Sequence, residues 1–406
     1  MVNEFLKIME LGDAEKIIKN LFDNFYSNKT SEKIDLLAAN GRVLAEDVYA
    51  TMDLPPFDRA SKDGYAVISS DTFGATEQTA VPLNFLELIE AGEVPQKKVK
   101  KGFCSAINTG APIPDGADAV VMVEYTEDNN GEIQIYRSAP AGQFITKKGN
   151  DITKGKLILK SGTPLTPDKI GVLSAMGLGE ISVWKLPRVA VISTGKELVE
   201  LDKQIEYGQI YDVNSYALES SLLSCGAVPV FGGIVKDNYE SLSSSIKKAL
   251  ENSDIVLTSG STSAGTGDVL KQVLDDMGEV LIHGISVKPG KPTMVGKIGQ
   301  KIVIGLPGYP VAALMIFQIF IAPYLRKWSG MAQISTKTIN ALLDERFYSS
   351  KGRVHYALVK IKENKIYPIL KDSGAITALA EADGYIKIPK NVEILTEGSK
   401  VNVFLF

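Results

Sequence analysis

The chain has 406 residues, of which 45% are hydrophobic, and a formal net charge of −4 at pH 7. At roughly 100–200 residues per domain, this length predicts two to four domains with sizeable cores, and the composition excludes a mostly disordered chain. The acidic balance argues against a dedicated nucleic-acid-binding protein, because such proteins present a basic face.

Cysteine and histidine are scarce. Cys104 and Cys225 lie too far apart for a CxxC pair, which argues against a structural zinc site and excludes a disulfide framework. His283 and His355 are the only histidines and are expected to be structural or surface residues. Any chemistry should therefore rest on carboxylates, lysines, hydroxyls and backbone amides, which are the groups that handle phosphates and divalent metals.

The first residues and the longest apolar run of the chain do not indicate export or membrane insertion. The first residues include acidic side chains and lack a long apolar core, so they do not resemble a signal peptide. The longest apolar run, residues 311–325, is shorter than the ~20 residues of a membrane helix. We therefore expect a cytoplasmic protein without a membrane span.

The predicted secondary structure changes several times along the first half of the chain. Helical spacing of apolar residues predicts a helix over residues 4–25. Residues 33–50 favour a second helix followed by a short extended stretch. Residues 65–140 read as short strands joined by turns and predict a small β-rich module. Residues 151–183 predict a helix that starts at Thr166 and Pro167, then a strand.

From about residue 187 onwards, apolar strands alternate with helices. This alternation predicts a parallel sheet covered by helices on both faces. A buried helix is expected over residues 310–328. The final stretch, from residue 331, returns to a period of two and predicts a separate β domain.

One loop of the α/β region is rich in glycine and hydroxyl side chains. It reads TSGSTSAGTGD over residues 258–268, follows a predicted strand and precedes a predicted helix. A ligand in an open parallel sheet binds at the carboxyl ends of strands, where a helix N-terminus attracts anions and glycine permits close approach. Two roles are open for Asp268, capping of the helix and support of a metal, and one residue can serve both.

Other loops fall at the same predicted sheet edge. Glu197 follows one strand, Asp237 follows another, and the segment 306–310 follows a third. A lone carboxylate in a loop is usually only solvated, but the set predicts a site for a metal-bound phosphate. Lys288 and Lys291, held on a turn stiffened by proline and glycine, are candidate charges for a phosphate or another oxyanion.

Beyond these local signals, the chain resembles the MoeA-type molybdenum insertases, a family that includes the E domain of gephyrin. The resemblance covers about residues 4–406, and the matching segments occur in family order. They are FDRASKDGYAV, INTGAPIPDGADAVVMVE, KKGNDI, STGKEL, GQIYDVNSYAL, GSTSAGTGDVLK, VKPGKP and LPGYPVAAL.

The resemblance implies an elongated, multidomain chain of class α/β plus β. Its central domain is a doubly wound α/β molybdopterin-binding domain. The implied divisions are a discontinuous linker and dimerisation domain (1–47 plus 145–184), an inserted β-rich domain (48–144), the α/β domain (185–330) and a C-terminal β domain (331–406).

The resemblance also implies a reaction and its participants. Molybdenum from molybdate is inserted into adenylylated molybdopterin, the adenylate is hydrolysed with Mg²⁺ or a similar divalent ion, and AMP and molybdenum cofactor are released. The protein is expected to be a homodimer whose cleft draws on both subunits. Molybdopterin adenylyltransferase and molybdoenzyme apoproteins are the expected partners, with no role for nucleic acid or membrane.

The same motifs transfer roles to individual residues. Asp237 and Asp268 are the implied metal ligands, and Lys288, Lys291, Arg353 and Ser373 are the molybdate candidates. The implied catalytic residues are Asp63, Glu197, Asp237, Asp268, Lys288 and Lys291, and the implied substrate-binding residues are Thr109, Asp151, Ser259, Gly260, Ser261, Pro307, Pro310, Arg353 and Ser373.

The chain departs from the family pattern at four positions. Ser261 replaces a glycine in the hydroxyl-rich loop, so either its φ is negative or the ligand sits differently. Lys62 replaces a methionine, Tyr309 an asparagine, and Ala312 a serine found in many members.

Three other functions are compatible with parts of the sequence. Insertion of tungstate is one, because tungstate and molybdate are nearly isosteric. Adenylylation of molybdopterin is performed by related single α/β domains, which the four-part chain argues against. A non-catalytic molybdopterin-binding or scaffold protein is the third.

Overall fold

A computed structural model describes residues 7–27, 29–260, 269–331 and 337–406. The chain forms two compact units, which we call the major unit (Met1–Lys33, Gly41–Val43 and Ser182–Phe406) and the minor unit (Ile34–Asn40 and Leu44–Ile181). The helices are α1 (Leu11–Tyr26), α2 (Pro167–Ala175), α3 (Val213–Ser224), α4 (Tyr239–Asn252), α5 (Val269–Met277), α6 (Pro310–Phe320), α7 (Ala322–Trp328) and α8 (Thr377–Glu381).

The minor unit is built on a six-stranded sheet, which confirms the predicted β module. In chain order, the first twelve strands are β1 (Ser31–Asp35), β2 (Val48–Tyr49), β3 (Arg59–Ala60), β4 (Gly64–Val67), β5 (Val81–Ile89), β6 (Phe103–Ile107), β7 (Ala119–Met122), β8 (Thr126–Asn129), β9 (Glu132–Ile135), β10 (Ile145–Thr146), β11 (Leu157–Leu159) and β12 (Glu180–Trp184).

The sheet order is β7-β4-β6-β5-β9-β8, and only the β5–β6 pair is parallel. Both faces are buried, because alternate side chains of one strand enter different cores. Ala66 belongs to one core and its neighbour Val67 to the other, and Val120 and Val121 divide in the same way. Two short pairs, β3–β10 and β2–β11, lie outside the main sheet.

The helix predicted over residues 33–50 is wrong. This stretch continues β1, makes a single 3-10 turn at Leu37–Ala39 and ends in β2. Side chains of β1 alternate in exposure, as in a strand. Gly41 has a φ of +78°, a conformation that breaks a helix and favours glycine.

The major unit contains the predicted α/β sheet, in the order β16-β13-β17-β21-β20-β18. Its strands are β13 (Arg188–Thr194), β14 (Leu198–Val199), β15 (Ile210–Tyr211), β16 (Val228–Val235), β17 (Ile255–Ser259), β18 (Glu279–His283), β19 (Val287–Lys288), β20 (Met294–Ile298) and β21 (Lys301–Leu306).

This sheet is mixed rather than wholly parallel. Strands β16, β13, β17 and β21 run parallel, whereas β18 and β20 are antiparallel to their neighbours. The reason is a tight connection: Ile298 pairs with Lys301, so only two residues join β20 to β21. Such a short link forms a hairpin, because a parallel connection needs a crossover of a dozen or more residues.

Helices cover both faces of the α/β sheet, as predicted. Val189 and Val191 of β13 enter one core, while Ala190 and Ile192 enter a second core with α4 and α5. The first core also receives the apolar stripe of α1, which buries Leu11, Ala14, Ile18 and Phe22 at helical spacing.

The chain ends in a β domain, which the sequence also predicts. Its strands are β22 (Thr338–Leu343), β23 (Phe347–Tyr348), β24 (Val354–Lys362), β25 (Lys365–Pro368), β26 (Gly384–Ile388), β27 (Ile394–Leu395) and β28 (Lys400–Leu405). The order is β19-β24-β25-β22-β28-β26, and an added β24–β26 pairing closes the sheet on itself. Along the chain, β19 lies between β18 and β20 of the α/β sheet, but it pairs with β24 of the C-terminal sheet. It therefore connects the two sheets of the major unit.

The buried helix predicted over residues 310–328 consists of two helices, α6 and α7, bent by 44°. Pro323 lies in the first turn of α7, where a proline cannot continue the hydrogen bonding of the preceding helix. Among the described residues, no single helix is long and apolar enough to cross a bilayer; only the bent pair reaches that threshold together. Both helices contribute many side chains to the first core.

Candidate functional site

The structure brings four of the predicted loops to one edge of the α/β sheet. Strands β16, β13, β17 and β21 are neighbours and parallel, so the loops after them meet at their carboxyl ends. Asp237 follows β16, Glu197 follows β13, Ser259 ends β17 with Gly260 directly after it, and Pro307 follows β21. Pro307 and Ser259 are buried, whereas both carboxylate residues are exposed.

Gly260 joins three of these strand ends. Its N–H donates to the Leu306 carbonyl at 3.2 Å, and the Oγ1 of Thr194 donates to the Ser259 carbonyl at 3.3 Å. Gly260 has a φ of +99°, and a Cβ there would lie 2.4 Å from the Thr194 carbonyl oxygen. Only glycine fits this crossing, which explains one glycine of the predicted anion loop.

Asn214, which the sequence interpretation did not single out, braces the same edge. Its Nδ2 donates to Ser259 Oγ at 2.7 Å and to the Gly308 carbonyl at 2.8 Å. The residue is only 8% exposed, and its Oδ1 has no hydrogen-bond partner among the described residues. A buried amide with an unused acceptor is uncommon in proteins and calls for a physical explanation.

The cap of α3 fixes the position of Asn214. Asp212, buried before the first turn, accepts hydrogen bonds from Ser215 N at 3.1 Å and from Ser215 Oγ at 2.6 Å. An aspartate directly before an amphipathic or apolar run is a signal for a helix start. That signal lies inside the GQIYDVNSYAL segment and predicts the start of α3, but it does not predict the contacts of Asn214.

Asp268 and Ser261 lie outside the described residues, and so the expectation about the backbone at Ser261 stays a prediction. The carboxylate of Glu197 folds over Gly195, where a Cβ would lie 2.7 Å from Oε1. Within the described ranges, no three His, Cys, Asp or Glu side chains gather as a metal site. The metal roles of Asp237 and Asp268 also stay predictions.

Two of the oxyanion candidates meet around a buried histidine. Lys288 pairs with His355 across the parallel strands β19 and β24, and Arg353 precedes β24. His355 is 7% exposed, and its Nδ1 lies 3.1 Å from Ser349 Oγ. Burial, then Lys288 and Arg353, lower the pKa of His355 to about 4, so the imidazole is neutral at pH 7. Its position agrees with the expected structural role.

The turn that carries Lys288 and Lys291 is fixed by packing. Gly290 has a φ of +104°, and a Cβ there would lie 2.3 Å from Ile316 Cδ1 on α6. The Lys291 carbonyl accepts a hydrogen bond from Ile285 N at 2.9 Å. Both lysines are therefore held on backbone that is anchored to the core.

Ser373 approaches the start of α6. Its carbonyl accepts a hydrogen bond from Val311 N at 3.0 Å, in the helix's first turn, where Pro310 needs no partner for a missing N–H. Tyr309 is 66% exposed, and a Cβ on Gly374 would lie 3.5 Å from its Cδ1. The structure thus groups Ser373 with Pro310 and Tyr309.

The remaining candidates belong to the minor unit. Asp63 Oδ1 accepts hydrogen bonds from Thr109 N at 2.6 Å and from Thr109 Oγ1 at 2.8 Å. These bonds lower the pKa of Asp63, with the backbone N–H as the larger cause. Asp151 is exposed after a turn held by Asp58, which accepts from Lys147 Nζ and Lys148 N, each at 2.8 Å.

Three family models match successive parts of the chain. They are the MoeA N-terminal region (domain I and II) over residues 9–177, the probable molybdopterin binding domain over residues 190–327, and the MoeA C-terminal region (domain IV) over residues 340–406. Together they span most of the sequence and agree with the observed order of β module, α/β sheet and C-terminal β domain.

Whole proteins of known type are also similar. Molybdopterin molybdenumtransferase of a Nostoc species is 38% identical over 336 residues, covering 82% of this chain and 77% of that protein. The Bacillus subtilis enzyme of the same name is 31% identical over 392 residues, covering 94% and 91%.

A solved structure extends the agreement to three dimensions. The crystal structure of a molybdopterin biosynthesis MoeA protein from Pyrococcus horikosii has a TM-score of 0.83 and 40% sequence identity, covering 98% of this chain and 99% of that one. With its three matched regions, its strand-end loops and these relatives, the chain belongs to the MoeA family of molybdenum cofactor biosynthesis, the molybdopterin molybdenumtransferases.

Proposed function

We propose that this transferase inserts molybdenum from molybdate into adenylylated molybdopterin, hydrolyses the adenylate, and releases AMP and molybdenum cofactor. The observation that carries the proposal is the convergence of four loops at the carboxyl edge of the α/β sheet, in the region that matches a molybdopterin-binding domain. This edge offers exposed carboxylates beside backbone that only glycine can form, as a phosphate ester and its metal require.

The donor set suits Mg²⁺ or a similar hard cation. Magnesium is usually held by one or two carboxylates together with waters and substrate phosphates. Asp237 and Asp268 are the proposed ligands, and Glu197 follows the neighbouring strand. When bound, the ion supplies neutralisation of charge on the phosphate. The carboxylates of the chain orient it, and the buried frame of Asn214 and Gly260 holds the loops in place.

The proposed molybdate pocket lies around Lys288. Arg353 and Lys288 both act on the buried His355, so two positive groups share one neighbourhood. Molybdate carries negative charge on its oxygens, and charge-assisted hydrogen bonds to lysine and arginine are the strong means of holding such a group. We assign Lys291 and Ser373 to the same oxyanion.

We propose a homodimer in which Asp63, Thr109 and Asp151 complete the cleft of another copy. Support comes from the surface of α3 and the segment before it, which exposes several large apolar side chains, as surfaces that bind a second protein often do. Its exposed side chains are Leu201, Ile205, Tyr207, Ile210, Val213, Tyr216 and Leu223. Sedimentation that found only monomer at micromolar concentration would contradict the shared cleft.

The chemistry also defines the proposed partners. An adenylyltransferase must supply the adenylylated pterin, and molybdoenzyme apoproteins must accept the product. We propose a cytoplasmic setting, where thiols stay reduced, and the free, buried Cys104 and Cys225 suit it. Cell fractionation checks this location.

The test of the function is reconstitution with the full-length protein. Purified protein is mixed with adenylylated molybdopterin, Mg²⁺ and molybdate, and both AMP and active cofactor are measured. We expect AMP release that depends on molybdate and falls when the divalent ion is chelated. If the protein does not stimulate AMP release, the insertase proposal is wrong. A parallel reaction with tungstate tests the choice of metal.

A further inference from the structure

Tyr309 occupies an unusual position for a large aromatic side chain. It lies between Gly308 and Pro310, directly after β21, at the sheet edge that carries the candidate site. The residue is 66% exposed, although its neighbour Pro307 is buried. The family resemblance leads us to expect asparagine here, so the ring is a departure from the family pattern.

The ring is held on one side and open on the other. Gly374 lies against it, since a Cβ there would be 3.5 Å from Cδ1 and 3.7 Å from Cε1. The backbone is fixed as well, because Tyr309 O accepts from Ala313 N at 2.9 Å in the first turn of α6. Holding an exposed ring in this way lowers the entropy lost when a ligand stacks on it.

A second observation points to a ligand at the same turn. The amide of Asn214 donates to Gly308 O, the carbonyl just before Tyr309, at 2.8 Å. Its Oδ1 remains without a hydrogen-bond partner among the described residues, although Asn214 is only 8% exposed. An unused buried acceptor is uncommon in proteins and calls for a donor, and the N–H groups of a nitrogen heterocycle are donors of the matching kind.

We propose that Tyr309 is a substrate-specificity residue whose ring stacks on the planar nitrogen heterocycle of the substrate. This inference rests on the proposed function, since adenylylated molybdopterin carries two such heterocycles, the pterin and the adenine. Aromatic side chains bind heterocycles of this kind by face-to-face contact, whereas asparagine offers only hydrogen bonds. The ring therefore gives this chain a tighter hold on a flat group than the asparagine expected from the family.

The experiment compares Tyr309→Asn and Tyr309→Phe with the full-length wild-type protein. Binding of AMP, of molybdopterin and of ribose 5-phosphate is measured by calorimetry or by competition. Tyr309→Asn should weaken the ring-bearing ligand about tenfold, which is the size typical of one lost ring stack. Tyr309→Phe should bind like wild type, and ribose 5-phosphate, which has no heterocycle, should be unaffected.

Tyr348 supplies the matched control, because it is also 66% exposed but lies on β23. Tyr348→Asn should leave all three ligands unchanged. The stacked ring is adenine if Tyr309→Asn lowers the affinity for AMP, and pterin if it lowers the affinity for molybdopterin. If wild type binds these ligands and Tyr309→Asn binds them equally well, the stacking proposal is wrong and the proposed function stands. If wild type binds neither ring-bearing ligand, the stacking proposal is wrong, and if wild type also releases no AMP, the proposed function fails as well.

Discussion

Lys288 lies directly across from His355, where the short strand β19 pairs in parallel with β24. This pairing carries a residue of the α/β region into the C-terminal β domain, within the major unit. It places a cation beside a buried imidazole that burial and positive neighbours keep neutral. Because burial and then Lys288 lower the pKa of His355, we expect the stability of the protein to depend on pH.

Stability should decline in acid because of His355. Its pKa is about 4 in the folded protein and about 6.5 in the unfolded chain, so the unfolded state binds more protons between these values. The free energy of unfolding should fall as the pH drops from 6.5 towards 4, by up to ~3 kcal/mol. His355→Gln should flatten this slope. Denaturant titrations at several pH values check it, and equal slopes in both proteins contradict it.

The two hydrogen bonds from Thr109 should set the acidity of Asp63. Thr109→Val removes the hydroxyl donor and keeps the backbone donor, so the pKa of Asp63 should rise towards its usual value without reaching it. Carboxyl resonances followed by NMR through an acid titration measure the change. Thr126→Val, whose hydroxyl bonds to the Val123 carbonyl, serves as a control that should leave Asp63 alone.

Gly260 should not tolerate a side chain. Gly260→Ala places a Cβ 2.4 Å from a carbonyl oxygen at a φ of +99°, and we expect a loss of about 2–4 kcal/mol in unfolding free energy. Gly308→Ala is the matched control on the next strand end, because the nearest atom to its added Cβ would be 3.8 Å away. Thermal unfolding of both variants decides, and similar losses would show that the close crossing is not the cause.

Asn214 should contribute to stability and to the site together. Asn214→Ala removes both hydrogen bonds and leaves the Gly308 carbonyl without this donor, which should lower the unfolding free energy by about 1–3 kcal/mol. We also expect slower AMP release at a temperature where the variant is fully folded. Normal release from a folded Asn214→Ala protein would show that the brace is dispensable for the reaction.

Asp268 should matter for chemistry rather than for folding. Asp268→Asn retains a helix-capping side chain but loses a negative charge, so a role limited to capping predicts full activity. A role in supporting a divalent metal predicts weaker AMP release and a higher Mg²⁺ requirement, with little change in melting temperature. Mg²⁺ titrations of AMP release by both proteins separate the two roles.

Periodicity predicted the parts of the fold that depend on local pattern. The uninterrupted apolar run from Val189 to Ile192 predicts a strand buried on both faces, and its end predicts where the loop after β13 begins. In the structure, Val189 and Val191 enter one core, and Ala190 and Ile192 enter the other. The antiparallel direction of β20 was not predicted. It depends on the two-residue link that contains Gly299, and the general alternation of strands and helices in this region favoured a parallel strand instead.

The site was harder to derive than the fold. Asp63, Arg353 and Ser373 carry no local signal of a site, so they came from the family resemblance. Asn214 was missed because its importance arises from burial against Ser259 and Gly308, residues distant in sequence. Tertiary contacts of that kind leave no periodic trace.

The major unit is formed by segments from both ends of the chain, and this has a consequence during protein synthesis. Phe22 of α1 stacks on Tyr324 of α7, with ring centroids 4.7 Å apart. Because the ribosome adds ~5–20 residues per second, about 300 residues of further translation leave α1 without this partner for roughly 15–60 s. The minor unit is complete in the nascent chain well before then. During that interval the apolar stripe of α1 lacks the partner that covers it in the finished protein, and exposed apolar segments of this kind are what chaperones bind.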